Sequence, residues 1–414
     1  MKDIAIIGGG AAGCFCAAEI KRHNPSCNVT IFESGPRPMR KLAITGGGRC
    51  NLTNNFACVF GESDRQEDGT FPSAARAKDL SLVYPRGARF MKKVFSRFDQ
   101  NDCYRWFEDE GVYLVVQPDQ CVFPQSQDAM QIVHVLEGAM RSLGVQVVCG
   151  QKVTAIAPDL SLRLADGNVV HPDAVVLTSG GATADILEPC DLKLVPPVPS
   201  LFTFKIADDG LHSLMGTVVN NVTLGLAGTN FRSHGTLLLT DWGVSGPATL
   251  RLSSYAARWL ASEQYRANLL VNWLNESESG VRERLSIMSK GARTVANSHP
   301  SELSERLWRM LVERAGIRPD ARWAELGNKG LSRLVNVLIS DSYPIVGRAR
   351  FKEEFVTCGG VSLDEVDPST MECRRIHGLY FAGEVLDIDA VTGGFNLQAA
   401  WSTAYLAAKS IATL

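Results

Sequence analysis

The stretch Ile4-Ala-Ile-Ile-Gly-Gly-Gly-Ala-Ala-Gly13, followed by Asn28-Val-Thr-Ile-Phe-Glu33, decides the reading of this chain. Its apolar residues read as a buried strand that runs into a glycine turn, and the residues beyond read as a helix over 11–22. Gly8 permits the tight turn, Gly10 lets backbone approach a pyrophosphate, and Gly13 lets the helix pack on the strand. The helix then aims its positive end and free N–H groups at the phosphates. Glu33 ends a second strand about 20 residues on, where a carboxylate accepts hydrogen bonds from ribose hydroxyls. Strand, turn, helix and acid stand in the order a dinucleotide requires, with NAD and FAD both open at this point.

Composition sets the bounds. The chain has 414 residues, 45% of them hydrophobic, enough for one large core or several smaller ones. Forty-two Lys+Arg against 44 Asp+Glu give a net charge of −2, which argues against a bulk polyanion binder and leaves room for a local basic patch. The apolar run at Ile4 is a strand, not a signal peptide, and no run reaches the ~18 residues of a membrane span. The expectation is a cytoplasmic protein with no membrane partner. Eleven cysteines without a CxxC pair read as reduced thiols, and seven scattered histidines give no metal site.

A second glycine cluster follows in Arg40-Lys-Leu-Ala-Ile-Thr-Gly-Gly-Gly-Arg-Cys-Asn-Leu-Thr-Asn54. Residues 61–79 are polar and read as a mobile surface loop. Helical spacing recurs over 88–110 and 127–143, and short strands read over 145–148, 153–156 and 174–181, with a hairpin at Asp166-Gly167. Pro196, Pro197 and Pro199 mark a boundary. Beyond it, 201–274 reads mostly as strands and 281–340 mostly as helix; 378–385 returns to a buried strand and 396–411 to a closing helix. The chain is therefore expected to be α/β: a discontinuous Rossmann-like domain from 1–197 plus 341–414, interrupted by a substrate or partner domain over 198–340.

The returning segment decides between the dinucleotides. Leu379-Tyr-Phe-Ala382 runs into Gly383-Glu384, and Val391-Thr-Gly-Gly-Phe-Asn-Leu-Gln-Ala-Ala400 supplies another glycine turn and helix start. FAD proteins of the glutathione-reductase and succinate-dehydrogenase groups return in this way, and their middle strand ends as Thr178-Ser179-Gly180-Gly181 does here. Arg40–Asn54, Val122-Phe-Pro-Gln-Ser126, Gly243-Val-Ser-Gly-Pro-Ala248, Val356-Thr-Cys-Gly-Gly-Val361, Met371-Glu372 and Gly378–Asn396 closely resemble the bacterial BaiN/RdsA-type flavoprotein family, across essentially the whole chain.

That resemblance implies a glutathione-reductase-like fold with an inserted β-rich subdomain and a small helical one, noncovalent FAD, and hydride transfer through flavin N5. It places Gly8, Gly10, Ala12 and Gly13 at the pyrophosphate, Glu33 at the adenosine ribose, and Arg40 and Lys41 reaching the cofactor from the next loop. Val153 would present its backbone to adenine, Glu384 would lie by the ribityl or phosphate, and the amides of Asn396 and Leu397 would face the pyrimidine edge. Ser34, Gly48, Arg49, Asn51, Gly180, Gly383, Gly394 and Phe395 complete the expected cofactor-binding set. Two departures, Asp241 where relatives often carry His and Gln120-Cys121 in place of a Gly-Arg pair, bear on substrate contacts.

Cys50 is the candidate catalytic side chain, since the charge of Arg49 would favour its thiolate and a thiol there could protonate a substrate carbon; packing of a small buried Cys is the competing account. Cys358, His234, His299 and His377 are weaker candidates, and Arg49 and Asn51 could instead hold their loop by backbone hydrogen bonds. No second strand-GxGxxG-helix unit follows, so NAD(P)H, if it is the small-molecule reductant, must dock directly over the flavin. Absence of CxxC removes disulfide reduction.

Residues 201–340 carry 16 Lys+Arg and 12 Asp+Glu, a net +4, while the remainder has 26 against 32. Arg306, Arg309 and Arg314 beside Trp308 could give the insertion a face for ribosomal RNA, whereas the interleaved Glu302, Glu305 and Glu313 suit a solvated, ion-paired helix. The resemblance includes a ribosomal-RNA dihydrouridine synthase that reduces uracil C5–C6, and small-molecule oxidoreductases of ketone, amine or steroid-like substrates. A flavin-holding binding protein with little turnover is the third alternative.

Overall fold

The computed structural model describes residues 1–67, 69–181, 184–289, 294–349 and 356–414. The apolar runs Ile4–Ile7, Ala174–Leu177 and Leu379–Phe381 are buried at every residue, as strands covered on both faces are, while the edge strand Gln146–Cys149 is exposed. β1 (Asp3–Ile7), β2 (Asn28–Glu33), β3 (Gln146–Cys149), β4 (Ala174–Leu177) and β5 (Leu379–Phe381) make one parallel sheet in the order β5-β4-β1-β2-β3. Ile7 is paired in register with both Leu177 and Phe32, which brings the carboxyl ends of the three central strands to one edge. α1 (Ala11–His23) and α2 (Phe395–Ile411) pack on each other, and small buried residues allow the approach: Ala17 and Ala18 on α1, Ala400, Ala404 and Ala407 on α2. Phe15 fills the space between Trp106 and Trp401, with ring centroids 4.7 and 5.5 Å away. A three-stranded meander (Val153–Ile156, Leu162–Leu164, Val169–Val170) completes a Rossmann-type α/β domain.

The chain divides into two compact units, 1–197 with 356–414, and 198–355. The second unit continues past 340, because Asp341–Arg348 is a barrel strand. It pairs with Phe204–Ile206 on one side and Ala267–Asn272 on the other, closing a six-stranded antiparallel barrel with Val218–Leu226, Arg232–Thr240 and Gly243–Ser245. Asp341, Tyr343 and Ile345 are buried and alternate with exposed residues, the pattern of a half-buried strand. Within 201–274 the reading as strands also missed the helices Pro247–Tyr255 and Ala257–Ser262; Gly246-Pro247 is the start signal, with the proline at the first helical position. Within the stretch read as a mobile loop, residues 71–77 are pinned. Phe71, Ala74 and Ala77 are buried, and the Gln100 side chain accepts from Ala74 N at 3.1 Å and donates to Pro72 O at 2.9 Å.

The barrel's polar core centres on Asp341. Its carboxylate accepts from Tyr343 Oη at 2.6 Å, Trp273 Nε1 at 3.2 Å and Arg314 Nε at 3.0 Å, while Arg314 also reaches Asp208 at 2.9 Å. Burial, outweighing the Tyr343 hydrogen bond and the Arg314 charge, holds the Asp341 carboxyl above the ordinary carboxylate range. The folded protein therefore binds that proton more tightly than the unfolded chain, so the linked stability is full at acid pH and is lost as pH rises through the folded value. Replacing Arg314 with Met is expected to cost about 2 kcal/mol at neutral pH, below the usual figure for a broken buried pair because solvent screens a partly exposed guanidinium. The deficit should shrink as the pH falls and Asp341 takes up its proton. Urea unfolding at neutral and acid pH checks this, and a deficit that grows toward acid would refute it.

Candidate functional site

Two of the three fingerprint glycines, Gly8 and Gly13, are demanded by the protein itself. Gly8 has φ +103°, and a Cβ there would lie 2.7 Å from Thr178 O; a Cβ on Gly13 would lie 2.1 Å from Gly8 O. Gly10 differs: its φ of −82° suits any residue, and a Cβ there would meet nothing within 4 Å. The space over Gly10 is open at the mouth of α1. The helical ladder begins with Cys14 N donating to Gly10 O at 3.0 Å, so the amides of Ala11, Ala12 and Gly13 have no helical acceptor.

Glu33 is fixed beside this opening. One carboxylate oxygen accepts from Gly9 N at 2.8 Å and the other from Gly35 N at 2.6 Å, with Ser34 Oγ 3.4 Å from the second. The oxygen bonded by Gly9 N keeps a lone pair for an outside donor. Gln151 N donates to Glu33 O at 3.0 Å, which brings Val153 to the same end of the sheet. Met39 N donates to Gly9 O at 2.7 Å and carries the exposed Arg40 and Lys41 past the turn.

The returning chain closes on the same edge. A Cβ on Gly383 would lie 2.9 Å from the Ala12 Cβ, and Glu384 accepts from Thr357 N at 2.8 Å, with Lys41 Nζ 4.0 Å away. A Cβ at Gly180 would lie 3.4 Å from Glu384, and Thr178 Oγ1 donates to Gly8 O at 2.8 Å. Gly8, Gly10, Ala12, Gly13, Glu33, Gly180, Gly383 and Glu384 thus come together.

The second helix mouth repeats the first. Gln398 N donates to Gly394 O at 3.0 Å, leaving the amides of Phe395, Asn396 and Leu397 outside the ladder of α2. Gly394 has φ +89°, and a Cβ there would lie 2.3 Å from Thr53 O. This turn is held from several directions. The Asn396 side chain bonds Ala390 N at 2.9 Å and Ala390 O at 3.0 Å, Asn54 Nδ2 donates to Gly393 O at 2.9 Å, and Tyr84 Oη donates to Phe395 O at 2.7 Å. Asn51, with its amide oriented to satisfy both neighbours, accepts from Gly394 N at 3.2 Å and donates to Thr53 O at 3.0 Å. The Asn51 and Asn396 side chains therefore brace the turn, and the free groups there are backbone N–H. Arg86 forms a two-pronged ion pair with Asp389, whose side chain is 0% exposed. Asn54, Tyr84, Arg86 and Asp389 were missed by sequence reasoning, although Asn54 and Asp389 lay inside quoted motifs.

The expectation that Arg49 favours a Cys50 thiolate is corrected. Cys50 is fully buried, and burial pushes its thiol up to about 12. The Arg49 guanidinium lies over the Phe123 ring, 4.5 Å from its centroid, and donates to Gly46 O and Gln127 Oε1 at 3.4 Å. Gly46, Gly47 and Gly48 have φ of +63°, +70° and +81°, a left-handed run that glycine sustains at no steric cost. His377 sits 2.6 Å from Glu372, His234 2.8 Å from Thr223 Oγ1 and His299 2.9 Å from Pro300 O.

The arginine stripe of the insertion is also corrected. Trp308 is fully buried and donates to Val295 O at 2.8 Å, so it offers no stacking face. Arg309 pairs with Glu305 at 2.6 Å, Arg314 with Asp208 and Asp341, and Arg306 donates to Ser213 O at 2.7 Å. Among the described residues, no helix is long and apolar enough to cross a membrane.

Comparison with known proteins gives a consistent picture. The model of the HI0933-like protein Rossmann domain family matches residues 2–64 and 70–410. The ribosomal RNA dihydrouridine synthase of Haemophilus influenzae is 30% identical over 427 residues, covering 98% of this chain and 97% of that protein. The 3-dehydro-bile acid delta(4,6)-reductase of Clostridium scindens is 27% identical over 434 residues, covering 100% of this chain and 99% of that protein. Among solved structures, the open conformation of a flavocytochrome c3 fumarate reductase shares the fold, with a TM-score of 0.50, 13% identity, and coverage of 100% of this chain and 78% of that chain.

Proposed function

The chain belongs to the HI0933-like Rossmann-domain family, and we propose that it is an FAD-dependent oxidoreductase that saturates a carbon–carbon double bond, with uridine in ribosomal RNA as substrate and NAD(P)H as electron donor. The open space over Gly10 carries the cofactor reading. Glycine stands there without a conformational or steric demand from the protein, so the demand comes from a group seated at the mouth of α1.

Bound FAD would supply the hydride from its N5 position. The amides of Ala11, Ala12 and Gly13 would receive the pyrophosphate, and Glu33 would accept from a ribose hydroxyl through the lone pair left on the oxygen bonded by Gly9 N. The Phe395, Asn396 and Leu397 amides would face the ring edge on which negative charge develops, and the dipole of the 17-residue α2 favours that charge. Lys41 and Glu384, Ser34, Arg40, Val153 and Gly180 line the same edge as secondary contacts, and Cys50 serves as packing.

The relatives' names both describe saturation of a double bond, in a uracil ring in one and in a bile acid in the other. The bile-acid relative supports the second reading, a small conjugated ketone as substrate. Two measurements separate the readings. Anaerobic titration of the purified holoprotein with NADPH and NADH should bleach the flavin absorbance, and no bleaching by either removes the nicotinamide donor. Ribosomal RNA from a deletion strain, digested and examined by mass spectrometry, should lack a dihydrouridine that complementation restores; an unchanged content favours the small-molecule substrate.

A further inference from the structure

The strongest local charge imbalance lies outside the insertion. Residues 76–97 contain seven Lys/Arg (Arg76, Lys78, Arg86, Arg89, Lys92, Lys93, Arg97) against the single acid Asp79, in a chain whose net charge is −2. Arg86 is engaged with Asp389, and the other six are exposed. Asp79 pairs with none of them among the described residues; its Oδ1 accepts from Ser81 N at 3.0 Å and from Ser81 Oγ. Among the described residues, Arg76, Lys78, Arg89, Lys93 and Arg97 form no ion pair, whereas the arginines of the insertion helix are paired or hydrogen-bonded.

Geometry gathers these cations on one face. The helix Ala88–Phe95 buries Phe90, Met91, Val94 and Phe95, which leaves Arg89, Lys92 and Lys93 on the solvent side at i, i+3 and i+4, with Arg97 continuing the row. Lys92 Nζ donates to Ala77 O at 3.1 Å and so draws Arg76 and Lys78 to the same side. From Arg89 to Arg97 the row spans about 12 Å, several phosphates of a single strand. Like charges at these spacings destabilise a free helix, and a polyanion would offset that cost.

The row begins at the candidate site. Gly87, which starts the helix, sits against Ile388, where a Cβ would lie 2.7 Å from Cγ1; Val391 N donates to Val83 O at 2.9 Å, and Tyr84 Oη holds Phe395 O. Segment 83–87 therefore joins the basic row to the turn that presents the free amides of α2. We propose that the face formed by Arg76, Lys78, Arg89, Lys92, Lys93 and Arg97 is a docking surface for the RNA phosphate backbone, aligned so that an everted base reaches the site beside it. The choice of RNA as the polyanion rests on the function proposed above.

Binding of fluorescently labelled poly(U) RNA to the holoprotein, followed by anisotropy across a salt series, tests it. Reversing Arg89, Lys93 and Arg97 together to Glu should weaken binding more than tenfold and reduce the salt slope by about 2, at about 0.7 per lost phosphate contact. Neutral Gln at the same positions should give an intermediate loss, while Arg309→Glu and Arg318→Glu in the insertion leave affinity unchanged. An unchanged flavin spectrum and rate of flavin bleaching in the reversed variant would show that the fold persists. The proposal falls if wild type fails to bind poly(U), if only the insertion variants weaken binding, or if the same residues bind anionic phospholipid vesicles and not RNA. Loss of dihydrouridine in the deletion strain is read independently, so a protein that binds RNA through this face without modifying it would overturn the proposed reaction and leave the docking surface standing.

Discussion

Replacing Gly10 with Val is expected to yield a folded, colourless protein. The backbone at Gly10 is extended and no protein atom lies within 4 Å of where a Cβ would stand, so the substitution has little to disturb in the apoprotein beyond a modest change at the start of α1. The isopropyl group would, however, fill the space in which the pyrophosphate meets the free amides of Ala11 to Gly13. FAD affinity should fall by at least about a hundredfold, or about 2.7 kcal/mol. Gly13→Ala is the contrasting variant. Its Cβ would be forced to 2.1 Å from Gly8 O, so the chain should be destabilised by about 3 kcal/mol whether or not FAD is present. Circular dichroism, thermal unfolding and FAD titration of the two apoproteins separate the cases. If Gly10→Val purifies yellow with wild-type affinity, the proposed cofactor position is wrong.

That contrast also marks how far the sequence could be read. The strand, turn, helix and acid of residues 4–33 were legible because each signal is local and the motif's spacing carries the geometry. The motif itself assigned Gly8 to the turn, Gly13 to packing and Gly10 to a ligand; what was not legible is that Thr178, brought from the middle of the chain, is the group that closes on Gly8. The strand Asp341–Arg348 was assigned to the wrong unit because the helix Gly327–Ser340 runs into it with no glycine or proline between them. Its inward alternation of Asp341, Tyr343 and Ile345 includes a charged residue, which reads as solvent-facing until the partners Arg314 and Trp273 are known. Cys50 looked reactive beside Arg49, but the guanidinium turns to Phe123 and the thiol is enclosed. The basic stretch 76–97 was visible in principle; comparing the charge of 201–340 with that of everything else averaged it away.

Removing Arg86 should produce the largest loss of stability of any substitution considered. The partners are 303 residues apart in sequence and meet through Nε to Oδ1 at 2.5 Å and a second bond from Nη2 to Oδ2, with the Asp389 side chain 0% exposed. Arg86→Met would leave a buried carboxylate without its guanidinium, a change that typically costs about 3–5 kcal/mol. Lysine should recover only part of this, since a point charge cannot replace the two-pronged bond. The damage should also reach the cofactor: Asp389 precedes Ala390, whose N–H and C=O hold the Asn396 side chain, and Asn396 lies in the first turn of α2. FAD retention should therefore fall along with the unfolding temperature. The double variant Arg86→Met with Asp389→Leu distinguishes a stability pair from a positioning pair. Removing both charges should restore much of the unfolding free energy, because no charge is then left buried alone. It should not restore FAD affinity if the ion pair sets the angle at which the turn presents its amides. Equal recovery of both quantities would reduce the pair to a packing element; recovery of stability alone would show that it orients the free N–H groups of Phe395, Asn396 and Leu397.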